Sequence, residues 1–329
     1  MPNQTPKTPS LASSQNLLPF IEYFNKNRIE WKVIASQYDI PERIADEECW
    51  LPAVNVMRFL QKLVVSQKEH IGIEVGRLIS LSQLSPALSD ALDACDSIDD
   101  GVHVLMAWMP LLSNHVVVWP EKFGDQWMLC HRSAYRPTSP GFDQTEWFRT
   151  LVLGAFCRRF VDENWLPNHV WMSINPPPKD QLPASFLQLD IRYQQPIAAI
   201  ELPVSEGFHA VEDRELSEHW MESMTKLAST YACLPNFHVD WLAKMVGMST
   251  RTLLRRLSDN GITMRELRDT AREQTAKKLL KDQSLSMLDI AWHCGYTDLA
   301  NFNRAFKKWT GFTAPQYRQQ QMLMSASTA

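Results

Sequence analysis

The spacing of hydrophobic positions changes character once along the chain. Up to about residue 212 two periods alternate: apolar residues follow helical spacing over Val54–Lys68 and Glu146–Val161, and strand-like spacing elsewhere. The segments that predict strands are Val116–Pro120, Trp127–His131, Val170–Ile174 and Ile197–Leu202. We therefore predict an α+β domain over residues 17–212, with a hairpin turn at Glu121–Asp125.

The segments that flank this domain have a different pattern. Residues 1–16 are rich in Pro, Ser, Thr, Gln and Asn, which bury too little apolar surface to offset the ordering of the chain, so we predict a loose tail. Residues 213–234 have helix-like spacing and predict a connector. Residues 235–320 carry short helices of regular length and predict an all-α domain, and residues 321–329 predict a second loose tail.

The all-α domain opens with a helix–turn–helix pattern. Within Asp240–Ser249 a short amphipathic helix runs into Gly247, a residue that can adopt the left-handed turn between two helices packed near a right angle. Ser249 then stands where an N-cap is needed for a second helix, which we predict over Thr250–Ser258.

The second helix of this unit is expected to bury one face and expose the other. Leu253 and Leu257 are predicted to face the core. The opposite face then carries three residues at i, i+3 and i+4, namely Arg251, Leu254 and Arg255. Such a face fits the major groove of DNA, because Arg pairs with guanine edges and an apolar side chain contacts the thymine methyl group.

The same pattern returns about 48 residues later and forms an internal repeat. The matched positions are Leu242, Ala243, Gly247, Ser249, Leu253 and Leu257 in the first unit and Ile290, Ala291, Gly295, Thr297, Phe302 and Phe306 in the second. The last two pairs require one inserted residue. By this register the second outward face is formed by Ala300, Asn303 and Arg304, and Ser286–Asp289 matches a capping box.

A long helix is predicted between the two units. Thr263–Lys281 contains neither Pro nor Gly and has apolar residues at helical spacing. At ~1.5 Å per residue it would span roughly 28 Å. Successive major grooves on one side of a duplex lie roughly 34 Å apart, so the two outward helices could enter two successive grooves with some bending of the DNA.

These patterns assign candidate DNA contacts. The residues expected to read bases are Arg251, Leu254, Arg255, Ala300, Asn303 and Arg304. The residues expected to contact phosphate are Ser249, Arg256, Thr297, Lys307 and Lys308. The alternative, which the pattern alone leaves open, is an ordinary solvated surface.

The charge distribution supports nucleic-acid binding by one part of the chain. The net charge of the 329 residues is −4. Residues 235–329 nevertheless hold 14 Lys and Arg against 8 Asp and Glu, or +6, which leaves −10 for the rest of the chain. Since phosphate neutralisation dominates affinity for DNA, only the C-terminal part is expected to approach it.

The remaining composition argues against several classes of protein. The six cysteines form no C-x-x-C pair and the histidines show no metal-ligand spacing, so we expect no disulfide frame, metal or cofactor. The sequence shows neither a signal peptide nor an apolar stretch long enough for a membrane span. The expectation is a cytoplasmic protein.

Three segments together resemble the signature of the AraC/XylS family of transcription regulators: Gly247–Leu257, Leu285–Ala291 and Gly295–Thr313. Two positions depart from the family pattern. Residues 313–315 read Thr-Ala-Pro where Thr-Pro is usual, and His238 stands where a Ser or Thr N-cap is common. Both departures lie at helix starts rather than on the outward faces.

The upstream part is similar to the arabinose-binding-like regulatory domain of one branch of that family. The similar segments are Leu51-Pro52, Ile71–Gly76 and Ile191–Pro196, followed by Ile200 and Leu202. This resemblance implies a domain that senses an effector and also dimerises. It does not identify the effector, because a fold does not specify its ligand.

The effector-binding residues stay unknown at this stage. Tryptophans such as Trp108, Trp119, Trp127, Trp147, Trp165 and Trp171 could line an apolar pocket, although aromatic residues at such spacing usually belong to the core. Arg158 and Arg159 could clamp an anionic effector, although an exposed helix face is the commoner explanation.

The resemblance implies an activator that binds double-stranded DNA, a small-molecule effector and RNA polymerase, with a homodimer as a further assembly. Two alternatives stay open. One is a regulator controlled by its abundance or by a protein partner. The other is a DNA-repair enzyme fused to a DNA-binding module, which would need an activated cysteine; none of the six lies near a histidine in a catalytic motif, so no catalytic residue is assigned.

Overall fold

The computed structural model describes residues 8–67, 69–178, 181–210 and 219–326. The chain divides into two compact units, Ser10–Glu218 and His219–Ala329, which are called the N-terminal and C-terminal units below. None of the helices in the described ranges combines the length and the hydropathy that a bilayer-spanning segment needs.

The N-terminal unit mixes strands and helices, which confirms the predicted α+β class. Its strands are β1 (Leu11–Ser13), β2 (Trp50–Pro52), β3 (Val116–Phe123), β4 (Gln126–Ser133), β5 (His169–Trp171), β6 (Asp190–Arg192) and β7 (Ala198–Glu201). Its helices are α1 (Leu18–Lys26), α2 (Lys32–Ser36), α3 (Ala53–Gln67), α4 (Ile71–Gly76), α5 (Leu81–Leu84), α6 (Pro86–Asp93), α7 (Ile98–Leu112) and α8 (Phe142–Phe160). Short 3₁₀ turns lie at Ser14–Asn16, Glu42–Ala45 and Ala184–Gln188.

Five of the strands form one sheet in the order β3-β4-β7-β5-β6. The predicted hairpin joins β3 to β4, with Gly124 at φ +63° in its turn and Val118 paired with His131. All pairs are antiparallel except β5 with β6. The strand predicted at Val170–Ile174 is shorter than expected, because the ladder ends at Trp171.

The close approach of α4 and α8 explains the glycines of the Ile71–Gly76 segment. A Cβ on Gly72 would lie 2.1 Å from the backbone oxygen of Gln144, and one on Gly76 would lie 2.8 Å from the side chain of Leu151. Two glycines four residues apart therefore let α4 approach the backbone of α8 at Gln144 and the side chain of Leu151.

The first strand corrects the prediction of a loose tail over residues 1–16. Leu11–Ser13 pairs with β2, Leu11 is fully excluded from solvent, and its N–H donates to Asn114 Oδ1 at 2.6 Å. The polar composition of the segment concealed this, because the strand needs only three residues and satisfies its backbone in the ladder. Residues 1–7 lie outside the described residues.

The C-terminal unit is all-α, as predicted. Its helices are α9 (Trp220–Tyr231), α10 (Val239–Met245), α11 (Thr250–Asp259), α12 (Met264–Leu279), α13 (Met287–His293), α14 (Leu299–Thr310) and α15 (Ala314–Ala326). The predicted connector is wrong over α9, because this helix packs against α12 as part of the unit. The loose tail predicted over residues 321–329 is also wrong as far as Ala326, where α15 ends. Residues 211–218 and 327–329 lie outside the described residues.

Candidate nucleic-acid interface

The first helix–turn–helix unit is formed by α10 and α11. His238 caps α10, since its Nδ1 accepts a hydrogen bond from the N–H of Trp241 at 3.3 Å. Ser249 caps α11 as predicted, since its Oγ accepts from the N–H of Thr252 at 3.2 Å. His238 therefore caps its helix as the usual Ser or Thr would.

The second unit is formed by α13 and α14. The predicted capping box is confirmed: Ser286 Oγ accepts from the N–H of Asp289 at 3.1 Å, and Asp289 Oδ2 accepts from the N–H of Ser286 at 3.3 Å. The N-cap of α14, however, is Asp298, whose carboxylate accepts from the N–H of Asn301 at 2.7 Å. Thr297 therefore does not repeat the capping role of Ser249, because the inserted residue moves the cap by one position.

The turn glycines of the two units share a backbone conformation but not an environment. Gly247 has φ +66° and Gly295 has φ +77°, as the left-handed turn requires. A Cβ on Gly247 would meet nothing within 4 Å. On Gly295 it would lie 2.4 Å from the backbone oxygen of Cys233, so the second turn is packed directly against the segment that follows α9.

The buried positions of the repeat are confirmed. Leu253 and Leu257 in α11 and Phe302 and Phe306 in α14 are all fully excluded from solvent. In the second unit the two phenylalanine rings lie 5.7 Å apart and share a core with Ile290. Each recognition helix is thereby anchored by two side chains one turn apart, which fixes the face that it exposes.

The exposed face of α11 carries the three predicted residues. Arg251, Leu254 and Arg255 are all exposed, and Leu254 presents 44% of its surface to solvent. Leu254 lies between two arginines and outside the buried core of the unit. It gives the face an apolar contact beside two guanidinium groups, the combination that base edges and methyl groups in a major groove accept.

The corresponding face of α14 is less uniform. Ala300, Arg304 and Lys307 are exposed, and a guanidinium nitrogen of Arg304 donates to Asn301 Oδ1. Asn303 is half-buried, and its Oδ1 has no hydrogen-bond partner among the described residues. This oxygen is buried, so Asn303 can offer it to a base edge only after a change of side-chain rotamer.

Arg256 does not fit the predicted phosphate contact. It is half-buried, and its guanidinium lies over the Trp220 ring of α9 at 4.8 Å from the ring centroid. This stacking holds α11 against α9 and turns Arg256 away from the face that carries Arg255. The sequence does not predict the stacking of Arg256 on Trp220, because Trp220 belongs to the segment that is predicted to be a connector.

The helix between the two units is shorter than predicted. Its capping box, in which Thr263 Oγ1 accepts from the N–H of Glu266 at 3.1 Å, fixes its start, and it ends at Leu279. Its 16 residues span roughly 24 Å at ~1.5 Å per residue. Arg272 ties it to α9, donating from Nε to the carbonyl of Ala232 at 2.8 Å.

A cationic groove between α12 and α14 was not predicted. It is lined by Arg265, Arg268, Arg272 and Lys308, with Asp269 as their acidic neighbour. Asp269 lies 3.6 Å from Arg265 and 3.7 Å from Arg268, so it offsets only part of the positive charge. The signal was present, since two arginines recur three residues apart on the polar face of the predicted helix.

The N-terminal unit encloses a separate apolar cavity among α3, α7, α8 and β3. None of the six tryptophans named above lines it. Trp119 and Trp147 are buried, as the core interpretation expects, whereas Trp108, Trp127, Trp165 and Trp171 are half-buried. Arg158 and Arg159 do not line it either; Arg159 pairs with Asp93 on the surface. The cavity instead contains Arg149, which sequence reasoning did not single out.

Models of known domain families match segments of both units. Residues 242–320 match the model of a helix-turn-helix domain. Residues 34–205, more than half of the chain, match the model described as the arabinose-binding domain of AraC transcription regulators.

Relatives match over about a quarter of the chain. A segment of 76 residues is 40% identical to the transcriptional regulator VqsM of Pseudomonas aeruginosa and covers 23% of each chain. A segment of 77 residues is 38% identical to the ornithine utilization regulator of the same organism, with the same coverage. The matches span about a quarter of the length of these relatives.

Among solved structures, the transcriptional regulator CdpR of Pseudomonas aeruginosa aligns over 93% of this chain and 98% of its own, with 17% identity and a TM-score of 0.38. The relatives and the domain models belong to transcription regulators rather than enzymes. The chain belongs to the AraC family of transcription regulators, with an arabinose-binding-type domain ahead of its helix-turn-helix domain.

Proposed function

We propose that this protein activates transcription by reading two successive major grooves with α11 and α14 in response to a small molecule bound by its N-terminal unit. The observation that carries the DNA-binding part is the duplicated unit, in which matched buried pairs orient two exposed polar faces. We assign effector sensing and dimerisation to residues 17–212 and DNA binding to residues 235–320, with α9 supporting the latter.

We assign base reading to the exposed faces of the two recognition helices. The residues are Arg251, Leu254, Arg255, Ala300, Asn303 and Arg304. Arginine suits guanine, asparagine suits adenine, and leucine or alanine suits the thymine methyl group.

Phosphate contact is assigned to exposed polar residues around the same helices, which are Ser249, Thr297, Lys307 and Lys308. Arg256 is left out, because its guanidinium is stacked on Trp220. The groove residues Arg265 and Arg268 add positive charge near Lys308 and extend the proposed phosphate surface along α12. RNA polymerase is the proposed partner at an activated promoter.

The experiment for the DNA face begins with footprinting of the bound genomic sites, which supplies a cognate duplex. Arg255→Ala and Arg304→Ala are each expected to weaken binding to that duplex by about 1–3 kcal/mol and to relax specificity. Lys308→Ala should weaken binding to cognate and random DNA alike. Arg256→Ala is the matched control, since it removes a neighbouring arginine that faces α9. Equal losses on cognate and random DNA for all variants would contradict the assignment.

The effector part is tested separately, by promoter binding and transcription with and without candidate metabolites. A change in affinity, oligomeric state or transcription is expected, because a ligand with different affinities for two states shifts their populations. No response to any compound would remove this part and favour control by abundance or by a protein partner.

A further inference from the structure

The cavity of the N-terminal unit is small but large enough for an organic molecule. Its volume is about 90 Å³. A cavity needs about 10–15 Å³ on this measure to hold one water molecule, so this one accommodates an occupant of several heavy atoms. Most of its wall is apolar and buried, including Phe20, Leu60, Leu88, Leu105, Phe148 and Val152. Such a wall favours an apolar body in the occupant.

Most polar side chains in the wall are already engaged. Asn16 and Ser113 donate to backbone carbonyls at 2.7 and 3.3 Å, and Thr145 donates to another at 2.9 Å. His115 Nδ1 lies 3.1 Å from a serine hydroxyl. A sugar needs several unengaged polar groups to replace its water contacts, so this wall does not suit arabinose.

Two side chains in the wall keep unpartnered polar atoms. Within the described residues, Arg149 has no hydrogen-bond partner at Nε or Nη2, and His131 has none at Nδ1. His131 Nε2 lies 3.0 Å from Thr150 Oγ1, which fixes the ring. Burial and then the charge of Arg149 lower the pKa of both His131 and His115, so these groups lie within one another's electrostatic reach.

Arg149 lies within the electrostatic reach of Glu146, and its guanidinium lies 5.6 Å from the centroid of the Phe142 ring, but among the described residues it forms no ion pair. Burial lowers the pKa of Arg149 to about 10, which leaves it cationic at neutral pH. Glu146 lies one turn away on α8, but its carboxylate accepts hydrogen bonds from the N–H and hydroxyl of Ser173 at 2.7 and 2.5 Å. A buried cation without an ion pair is costly, and an incoming anion would relieve that cost.

We propose that this cavity binds an apolar monocarboxylate, with the carboxylate paired to Arg149 and its hydrocarbon body packed against the aliphatic wall. This inference rests on the proposed function, because it names the chemical class of the effector. Arg149 supplies the charge-assisted donors to the carboxylate. Thr150 donates its hydroxyl hydrogen to the carbonyl of Glu146 at 2.9 Å, so a neutral His131 keeps its proton on Nε2, where it donates to Thr150.

The test uses the full chain without DNA and measures binding by calorimetry and by thermal shift, with sodium octanoate as the probe. Octanoate should bind and raise the unfolding temperature. 1-Octanol, which has the same hydrocarbon body, should bind about tenfold or more weakly, because it lacks the charge-assisted hydrogen bonds. L-Arabinose should produce no shift.

Two variants distinguish the pairing of the carboxylate with Arg149 from the packing of the hydrocarbon body against the wall. Arg149→Met keeps an unbranched apolar stem and removes the charge, and it should weaken octanoate binding about tenfold or more while leaving 1-octanol binding unchanged. Arg158→Met is the matched control, because Arg158 lies on the same helix but outside the cavity wall, and it should bind octanoate as the parent does.

Several results would overturn the proposal. They are absence of octanoate binding, equal affinity for octanoate and 1-octanol, stabilisation by arabinose alone, and equal octanoate affinity in Arg149→Met and the parent. The comparison of probes on the parent protein decides the matter even where Arg149→Met fails to fold. If octanoate binds through Arg149 but no carboxylate alters promoter binding, the site stands and the effector part of the proposed function fails.

Discussion

Replacing the two turn glycines by alanine tests how the repeat is built. In both positions alanine must adopt a left-handed backbone, which costs about 1–2 kcal/mol, offset by about 0.4–1 kcal/mol from the reduced freedom of the unfolded chain. Gly247→Ala should therefore lower the free energy of unfolding by about 1 kcal/mol. There is open space around the added methyl group at this position.

Gly295→Ala carries a second cost. Its Cβ would lie 2.4 Å from the backbone oxygen of Cys233 and 2.9 Å from a guanidinium nitrogen of Arg272. The arginine can move, but the carbonyl can shift only with the backbone that follows α9. Overpacking of this kind costs about 1–3 kcal/mol, so the loss should exceed that of Gly247→Ala by about 2 kcal/mol.

The assay is urea unfolding of the full chain, followed by circular dichroism and by amide hydrogen exchange in α13 and α14. With a slope of about 2 kcal/mol/M, the extra loss lowers the midpoint by about 1 M relative to Gly247→Ala. Exchange should accelerate in α13 and α14 for Gly295→Ala, since the two helices meet at that turn. Equal losses for the two variants would refute the packing argument and leave backbone conformation as the whole effect.

Two further predictions follow from buried or stacked side chains. Burial and then the nearby Arg149 lower the pKa of His115 from 6.5 to about 3. The unfolded chain therefore takes up a proton below pH 6.5 that the folded chain rejects, and stability falls as the pH drops, by about 2 kcal/mol at pH 5 for this group. His115→Asn should flatten the pH dependence of the urea midpoint between pH 6.5 and 5 by that amount; an unchanged dependence would show that His115 does not contribute. Arg256→Ala should lower the free energy of unfolding by about 1 kcal/mol, because the contact with Trp220 is lost, and it should change the DNA affinity of the folded protein little. Arg255→Ala should lower the DNA affinity and leave the free energy of unfolding nearly unchanged. A drop in DNA affinity for Arg256→Ala comparable to that for Arg255→Ala would return Arg256 to the interface.

The sequence predicts the C-terminal unit well because its signals are local. Gly247 and Gly295, the caps Ser249 and Ser286, and the apolar spacing each act within about one or two helical turns. Because the pattern occurs twice, the assignment of each unit supports the assignment of the other. The error at Thr297 arose at the inserted residue, where the register of the repeat is interrupted.

Contacts between distant segments were not predictable in the same way. The stacking of Arg256 on Trp220 joins residues of separate helices, and nothing in the spacing of either helix specifies it. The position of Arg149 is a similar case. Helical spacing predicts α8, but which of its polar residues turns toward the cavity depends on how the helix is rotated against β4 and β7.

The packing of α9 on α12 bears on how the DNA-binding part should be subcloned. A fragment starting at Pro235, where the sequence pattern changes, would lack Trp220 beneath Arg256 and the Ala232 carbonyl that holds Arg272. It would also uncover the apolar side of α12, including Leu267 and Ala271, which is buried in the intact protein. We expect such a fragment to aggregate and to bind DNA more weakly than the intact protein does. A fragment that begins at His219 retains α9, which supports α11 and α12.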